Sequence, residues 1–226
     1  MVAEFALSTM ADRTAGTQPY EQQMNLKAKL IAAALAVLLV FGGGVYTGYH
    51  IQKAPMQGQL ETVFTPYEDG LEAYLKFLDR AEKSVHIAVY TFTDPRIYDK
   101  LLELHARGVK DIHILIDLSQ TRGWSGDDIE KGIGRLRAAG IEVVIGTSEK
   151  SNQIMHSKYT IVDGVWVEDG SWNYTKLANR QANYLNFSYD ARRGALFMAN
   201  WQRMYVFMKA QQDARDAAEK TAPRKR

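Results

Sequence analysis

The stretch from His156 to Asn173 gathers side chains that can bind and attack a phosphate group. His156 and Lys158 are two residues apart, so on a β-strand they would point to one face and place an imidazole beside an ammonium. An imidazole can attack phosphorus and form a covalent intermediate. Gly170 would let the backbone approach a ligand closely. The Ser171 hydroxyl and the Asn173 amide can hold phosphate oxygens. These residues predict phosphoryl chemistry in which Lys158 and Asn173 supply the electrostatics without a metal.

This spacing resembles the signature of the phospholipase D superfamily, His-x-Lys-x4-Asp-x6-Gly-Ser-x-Asn. The matching residues are His156, Lys158, Asp163, Gly170, Ser171 and Asn173. The preceding segment, residues 66–117, is similar to the start of the small single-motif bacterial endonucleases of that superfamily. The resemblance covers about residues 63–208, most of the chain outside its N-terminal third.

The resemblance implies a role for each residue of the motif. His156 would be the nucleophile that forms a phosphohistidine. Lys158 and Asn173 would bind the phosphate oxygens, with Ser171 beside them, while Asp163 and Gly170 would be supporting residues. The matching histidine of a second motif would be the general acid. Asp163 also begins an Asp-Gly pair typical of a tight turn, which gives it a structural alternative.

The chain departs from the family pattern after the Gly-Ser stretch. Relatives carry Asn-x-Glu-Asn there, and that glutamate orients the nucleophilic histidine. Here the nearest match is Asn183-Tyr184-Leu185-Asn186, with Leu185, or Tyr184 in an ungapped alignment, in the position of the glutamate. Asn183, Asn186 or Glu168 are possible substitutes. If Leu185 occupies that position, Leu185→Glu is expected to raise the rate.

The remaining histidines of the domain are interpreted as structural. His86 and His113 lie in apolar strand segments, and His105 lies on a helix. The chain has no cysteine, which excludes disulfides and thiolate metal sites. No cluster of histidines and carboxylates shows metal-ligand spacing along the sequence. We therefore expect neither a metal nor another cofactor.

Two further segments are candidates for lining the site. Thr91 and Thr93 follow a buried strand, at the carboxyl end where α/β sites gather. Arg122 and Trp124 lie in a loop near the same edge. They would stack on a base or pair with a phosphate, or belong to an ordinary exposed loop.

Strand and helix patterns alternate through the domain and predict an α/β fold. Buried-strand runs at 84–92, 111–118 and 141–146 alternate with amphipathic helices. A hairpin around Asp163-Gly164, a last strand at 185–190 and a long closing helix follow. The expected architecture is a mixed, mostly parallel sheet flanked by helices, as in phospholipase D-like proteins.

The uncharged run 30–49 is long enough to span a bilayer. A cleaved signal peptide and a buried core helix are the alternatives. More lysines precede this run than follow it, which places the catalytic domain outside the cytoplasm, on the periplasmic side, or in the medium if the segment is cleaved. The expected organisation is a flexible lead at 1–29, an anchor at 30–49, a linker at 50–62, a catalytic domain at 63–208 and a charged tail at 209–226.

Three functions are consistent with these observations. The first is a metal-independent endonuclease that cleaves DNA or RNA. The second is a phospholipase acting on the anchoring membrane, which the near-neutral net charge of +2 leaves open. The third is a nuclease-like binding module weakened by the missing glutamate. Because the proposed reaction needs two imidazoles and the motif occurs once, we also expect a homodimer with a shared active site.

Overall fold

The computed structural model describes residues 58–122, 126–150 and 152–221. They form a seven-stranded sheet with helices on both faces. The strands are β1 (Gln59–Thr65), β2 (Ser84–Val89), β3 (Asp111–Asp117), β4 (Glu142–Gly146), β5 (Lys158–Val162), β6 (Trp166–Gly170) and β7 (Asn183–Tyr189). The helices are α1 (Gly70–Leu78), α2 (Pro95–Arg107), α3 (Gly126–Ala138) and α4 (Ala191–Thr221), with short 3-10 turns at Leu118–Thr121 and Ala178–Arg180.

The sheet is mixed, but it is not mostly parallel as the sequence pattern predicted. Its order is β1-β7-β6-β5-β2-β3-β4. Only the β2–β3 and β3–β4 pairs are parallel, and the other four pairs are antiparallel. The crossover helices α2 and α3 produce the parallel part, whereas the β5–β6 hairpin inserts beside β2 and reverses direction.

Alternate residues of the central strands supply two separate apolar layers. On one face, α1, α2 and α3 pack on Val85, Ile87 and Val89 of β2 and on the same-facing residues of its neighbours. On the other face, α4 packs through Trp201, Met204 and Met208 against Ala88 and Tyr159. Trp201 is thus a core residue, and its indole N–H donates to the Ile87 carbonyl.

Local signals fix the ends of several elements. The Asp69 carboxylate caps α1 by accepting from the Glu72 amide. Pro95 opens α2, and Gly108, with φ +116°, ends it. Asp163 (φ 53°) and Gly164 (φ 72°) form the turn between β5 and β6, because a tight hairpin of this hand needs positive φ at both central residues.

Two predicted boundaries change. β1 begins at Gln59 and pairs with β7 along its length, so the sheet extends into the segment assigned to the linker. Helix α4 continues without a break to Thr221, past the predicted domain end at 208. The predicted lead and anchor lie outside the described residues. Within residues 58–221, apart from the gaps named above, no helix has the length and hydropathy needed to cross a bilayer.

Candidate active site

His156 and Lys158 stand together at the sheet edge where β2 ends and β5 begins. Lys158 opens β5 opposite Val89, and its side chain is buried while the His156 side chain is exposed. The Lys158 ammonium lies 3.3 Å from Nδ1 and 3.4 Å from Nε2 of His156, and it donates to the His156 carbonyl at 3.0 Å. The predicted juxtaposition of imidazole and ammonium is present.

The surroundings favour the neutral form of the imidazole. The pKa of His156, although the residue is exposed, is lowered by partial loss of water around the ring and by the Lys158 charge, and Asp117 opposes this shift. Burial also lowers the pKa of Lys158. Because a lone pair on nitrogen is needed for attack on phosphorus, a lowered pKa keeps His156 ready as a nucleophile into mildly acidic solution.

Two residues that the motif does not include position this histidine. Asp117, fully buried at the end of β3, accepts from the Met155 amide at 2.6 Å and from the Ser119 amide at 2.9 Å. It thereby holds the backbone next to His156. The Tyr90 ring packs against the imidazole with ring centroids 4.5 Å apart. In the sequence, Asp117 could have been found because a carboxylate at the end of a buried strand marks a possible site. Nothing in the sequence pointed to Tyr90.

Gly170 and Ser171 join the hairpin to β7 instead of facing a ligand through the backbone. A Cβ on Gly170 would lie 2.1 Å from the Tyr184 carbonyl oxygen, so the glycine is required for strand packing. The Ser171 hydroxyl donates to the side-chain oxygen of Asn183 at 3.0 Å and accepts from the Tyr184 amide at 3.2 Å. Both its donor and an acceptor position are used within the protein.

Asn173 faces a polar cleft of about 500 Å³ beside the motif. Its Oδ1 is buried and makes no hydrogen bond to a described residue, and its amide nitrogen is the group that can donate to a phosphate oxygen. Thr91 and Thr93 line the same cleft, as the sequence predicted, and backbone hydrogen bonds from Tyr174 to Thr91 and from Thr93 to Tyr174 fix the two walls. Arg122 lines a different cleft, on the α4 side, and Trp124 lies outside the described residues.

Asp163 occupies the opposite end of β5 from the imidazole. Its carboxylate accepts from three backbone amides, those of Glu82, Lys83 and Ser84, at 2.8–3.0 Å. These bonds attach the hairpin turn to the start of β2. The geometry matches the structural alternative for this residue and leaves its carboxylate away from the site.

Among the described residues, none of the candidates for orienting His156 contacts the imidazole. Asn183 binds Ser171, and Asn186 accepts from Thr62 on the far side of β7. Leu185 is fully buried against Gly70, which overturns the expectation that a glutamate at this position would reach His156. The side chain points into the layer under α1.

Glu168 lies within a buried chain of hydroxyl groups under the site. Its Oε2 accepts from the Tyr174 hydroxyl at 2.6 Å, which in turn meets the Thr160 hydroxyl at 2.6 Å and, through it, the Tyr74 hydroxyl. Burial raises the pKa of Glu168 to about 8. The carboxyl group is therefore protonated at neutral pH and supports Tyr174, the neighbour of Asn173.

The fold and the site together define a phospholipase D-like domain. Residues 74–201 match the family described as "Cardiolipin synthase, PLD-like domain". This match covers more than half of the chain, so the chain belongs to that family of the phospholipase D superfamily.

Relatives carry several names. The chain is 37% identical over 108 residues to a mitochondrial cardiolipin hydrolase of Chlamydomonas reinhardtii, covering 48% of this chain and 44% of that protein. It is 30% identical over 147 residues to a phospholipase D of Rickettsia felis, covering 65% and 69%. The chain thus spans less than half the length of the cardiolipin hydrolase.

Two solved structures share the fold. Nuc from Salmonella typhimurium, a phospholipase D family member, superimposes with a TM-score of 0.60 at 26% identity, over 66% of this chain and 95% of that one. NucT from Helicobacter pylori gives 0.59 at 25% identity, over 66% and 97%.

Proposed function

We propose that this protein is a metal-independent endonuclease that cleaves phosphodiester bonds through a phosphohistidine at His156. The observation that carries the proposal is the polar cleft beside Asn173. Hydroxyls of Thr91 and Thr93 and the cations Lys131, Arg135 and Lys176 line it. Such a groove suits a polyanion that continues on both sides of the scissile phosphate. The similarity to Nuc and NucT supports the same substrate class.

The proposed first step forms a bond between a nitrogen of His156 and phosphorus. The bond from phosphorus to the leaving oxygen breaks, and a second imidazole protonates that oxygen. Lys158 and Asn173 contact the phosphate oxygens and stabilise their growing charge. In the second step, water gives its proton to the second imidazole and attacks phosphorus, which releases His156 and a phosphate monoester.

The second imidazole is proposed to come from another copy of the chain. Among the described residues, His86 and His113 lie toward the start of β2 and β3, away from the strand end that carries His156, and His105 lies in α2, so none reaches His156. The exposed His156 borders a small cleft with Ile154 and Phe207, which offers apolar area beside the site. A two-fold dimer would bring both copies of His156 to one phosphate.

The central experiment measures cleavage of labelled DNA and RNA by the full chain in excess EDTA. We expect activity, and we expect His156→Ala to abolish it while His105→Ala, which removes an imidazole from α2, leaves it intact. Chelator-sensitive cleavage restored by Mg²⁺, or substantial activity in pure His156→Ala, would overturn the mechanism. Binding of nucleic acid without cleavage would identify a weakened binding module.

The cleft itself is tested with a paired substitution. Lys131→Ala combined with Lys176→Ala should raise KM for an oligonucleotide and lower the salt dependence of binding by about two counterions. Lys83→Ala combined with Lys110→Ala removes two exposed lysines elsewhere and is the matched control. Equal effects of the two pairs would argue against the cleft as the nucleic-acid path.

The shared site is tested by subunit exchange. Excess inactive His156→Ala chain should lower wild-type activity as mixed dimers form, because each mixed pair lacks one of the two imidazoles. Sedimentation of the wild type should report a dimer. A monomer that retains full activity on dilution would refute the shared site.

A second candidate function is lipid hydrolysis, and one observation favours it. Phe64, Tyr67 and Tyr184 expose 54%, 90% and 42% of their surface and border Asn183, next to Ser171. Aromatic side chains of this kind suit a membrane interface. Cardiolipin and phosphatidylcholine vesicles, assayed beside the nucleic acids, distinguish the two. Lipid turnover lost in Tyr67→Ser and Tyr184→Ser, with no nucleic-acid cleavage in the wild type, would replace the first proposal.

We also propose that residues 30–49 attach the domain to a membrane, with the catalytic part outside the cytoplasm. The uncharged 20-residue run supports this. Resistance of the protein to alkaline extraction from membranes, and protease access from the periplasmic side, are the expected results. Release of a shortened mature chain would indicate a cleaved signal instead.

A further inference from the structure

A group of metal-ligand side chains lies on the α4 face of the sheet, toward the start of β2 and away from His156. His86 of β2 stands directly beside His113 of β3 in the parallel register, and Asp111 precedes His113 by two residues on the same face. One ligand atom from each lies within 4.8 Å of the others. His86 is four residues upstream of Tyr90, about 13 Å along the strand, so this group is separate from the phosphodiesterase site.

The distances fit a single ion. Asp111 Oδ1 lies 3.0 Å from His113 Nε2 and 3.8 Å from His86 Nε2. Ligand atoms around a tetrahedral zinc, with bonds near 2.0–2.1 Å, stand about 3.3 Å apart. The two observed distances lie on either side of that value, and the stacked His86 and His113 rings, 5.4 Å apart, would turn toward a common point to complete the arrangement.

His113 has a carboxylate at each ring nitrogen. Its Nδ1 lies 2.8 Å from Glu142 Oε2, and its Nε2 lies 3.0 Å from Asp111 Oδ1. A neutral imidazole can donate to only one of them, and its remaining lone pair would then face an oxygen. A positive charge at the ring resolves this conflict, either a second proton or a metal ion at Nε2. The nearby His86 Nε2 adds a further lone pair at the same place, which favours the metal.

The surrounding side chains hold the group in position. The Tyr205 hydroxyl donates to Glu142 at 3.1–3.2 Å, so Glu142 fixes His113 through its Nδ1, as carboxylates commonly fix metal-bound histidines. The Trp201 ring packs edge-on against His86 at 4.8 Å. Nδ1 of His86 has no hydrogen-bond partner among the described residues, so no contact there prevents Nε2 from presenting its lone pair.

We propose that His86, Asp111 and His113 bind one zinc ion, which clamps β2 to β3 and, through Glu142 and Tyr205, connects both to β4 and α4. Two imidazole nitrogens and one carboxylate oxygen are a ligand set that suits Zn²⁺. Three protein ligands leave the fourth position for water. The role assigned to the ion is structural, because His86 lies about 13 Å along β2 from Tyr90, which packs on His156.

The test uses the full chain, with affinity tag removed and metal stripped by EDTA, titrated with Zn²⁺ against a chromophoric chelator. We expect one ion per chain. His113→Gln and His86→Gln should weaken binding more than 100-fold, and Glu142→Gln about 10–100-fold, as for other residues that support a ligand. His105→Gln and His156→Gln, each of which removes an imidazole elsewhere, should leave the affinity unchanged.

Thermal unfolding decides the question if the histidine variants do not fold. Free Zn²⁺ at about 100 times Kd should raise the wild-type midpoint by roughly 5–10 °C in a domain of this size. No stoichiometric binding and no rise of the midpoint in the wild type would overturn the proposal. Unchanged affinity in His113→Gln, with loss in His156→Gln, would equally overturn it, because the ion would then sit at the phosphodiesterase site.

Discussion

Glu168→Gln should make the protein less sensitive to rising pH. The Glu168 carboxyl is fully buried, accepts from the Tyr174 hydroxyl at 2.6 Å, and has its pKa raised by burial from 4.5 to about 8. Between these two values the folded protein holds a proton that the unfolded chain has released. Stability from this group is therefore fully present below pH 4.5 and is lost as pH rises toward 8.

The size of the effect follows from the pKa values. At about 1.4 kcal/mol per pH unit, the interval from 4.5 to about 8 corresponds to at most about 5 kcal/mol of unfolding free energy. A glutamine keeps the oxygen that accepts from Tyr174 and cannot ionise. Relative to the wild type, Glu168→Gln should therefore gain stability steadily as the pH increases through this interval.

The assay is urea unfolding of the wild type and the variant at several pH values from about 5 to 8, followed by tryptophan fluorescence. Glu61→Gln makes the same chemical change on the exposed carboxylate of β1 and gives the baseline. Parallel pH curves for the wild type and Glu168→Gln would refute the reasoning, because Glu168 would then ionise in the fold as readily as in the unfolded chain.

Four further outcomes are expected. Lys158→Met should raise the pKa of His156 in an NMR titration, since the Lys158 charge helps to lower it, whereas Lys110→Met should not; an unchanged value would show that burial alone causes the shift. Asn173→Ala should lower kcat by on the order of 10²-fold without loss of thermal stability, and wild-type kcat would exclude its contact with the transition state. Gly170→Ala should destabilise the fold by about 1–3 kcal/mol in urea unfolding, because its methyl group meets the Tyr184 carbonyl; wild-type stability would mean that β7 can shift. Leu185→Glu should lower the midpoint of thermal unfolding, because it places a carboxylate in the core, and it should not raise kcat; a raised kcat would restore the predicted alignment.

The periodicity of apolar residues predicted the helices and strands well, because the side chains that each element buries recur with the period of that element. Two strands lie within the predicted runs, at 84–89 and 111–117. The helix at 95–107 lies between them, where an amphipathic helix was expected. Strand direction was predicted less well. A hairpin can join a sheet at an edge or beside an interior strand, and the residues of β5 do not distinguish these positions, so the number of antiparallel pairs was underestimated.

The motif located His156, Lys158 and Asn173 at the site, but it did not separate ligand-facing groups from packing groups. Gly170 approaches backbone and not a ligand, and Leu185 points into the core. One-residue differences in strand register decide which face a side chain takes, and a sequence alignment with an offset cannot resolve them.

Contacts between elements were beyond the sequence signals. Asp117 reaches Met155 across 38 positions, and the His86–Asp111–His113 group joins two strands whose spacing along the chain resembles no ligand pattern. The histidine group depends on the register of the parallel strands β2 and β3, and the Asp117–Met155 contact depends on how the segment before β5 folds back on β3, and both are set only when the sheet assembles.

The three hydrogen bonds from backbone amides to Asp163 have a consequence for the register in which β5 joins the sheet. They fix the far end of β5 against β2, so they determine which residues of β5 face which side. A slip by one residue would turn Tyr159 and Ile161 toward the phosphate and send the Lys158 ammonium into the apolar layer under α4. Asp163, the carboxylate of the motif that lies farthest from His156, therefore helps to prevent a folded but inactive register of β5. Loss of Asp163 would then appear as a smaller fraction of active molecules, each with a normal turnover rate.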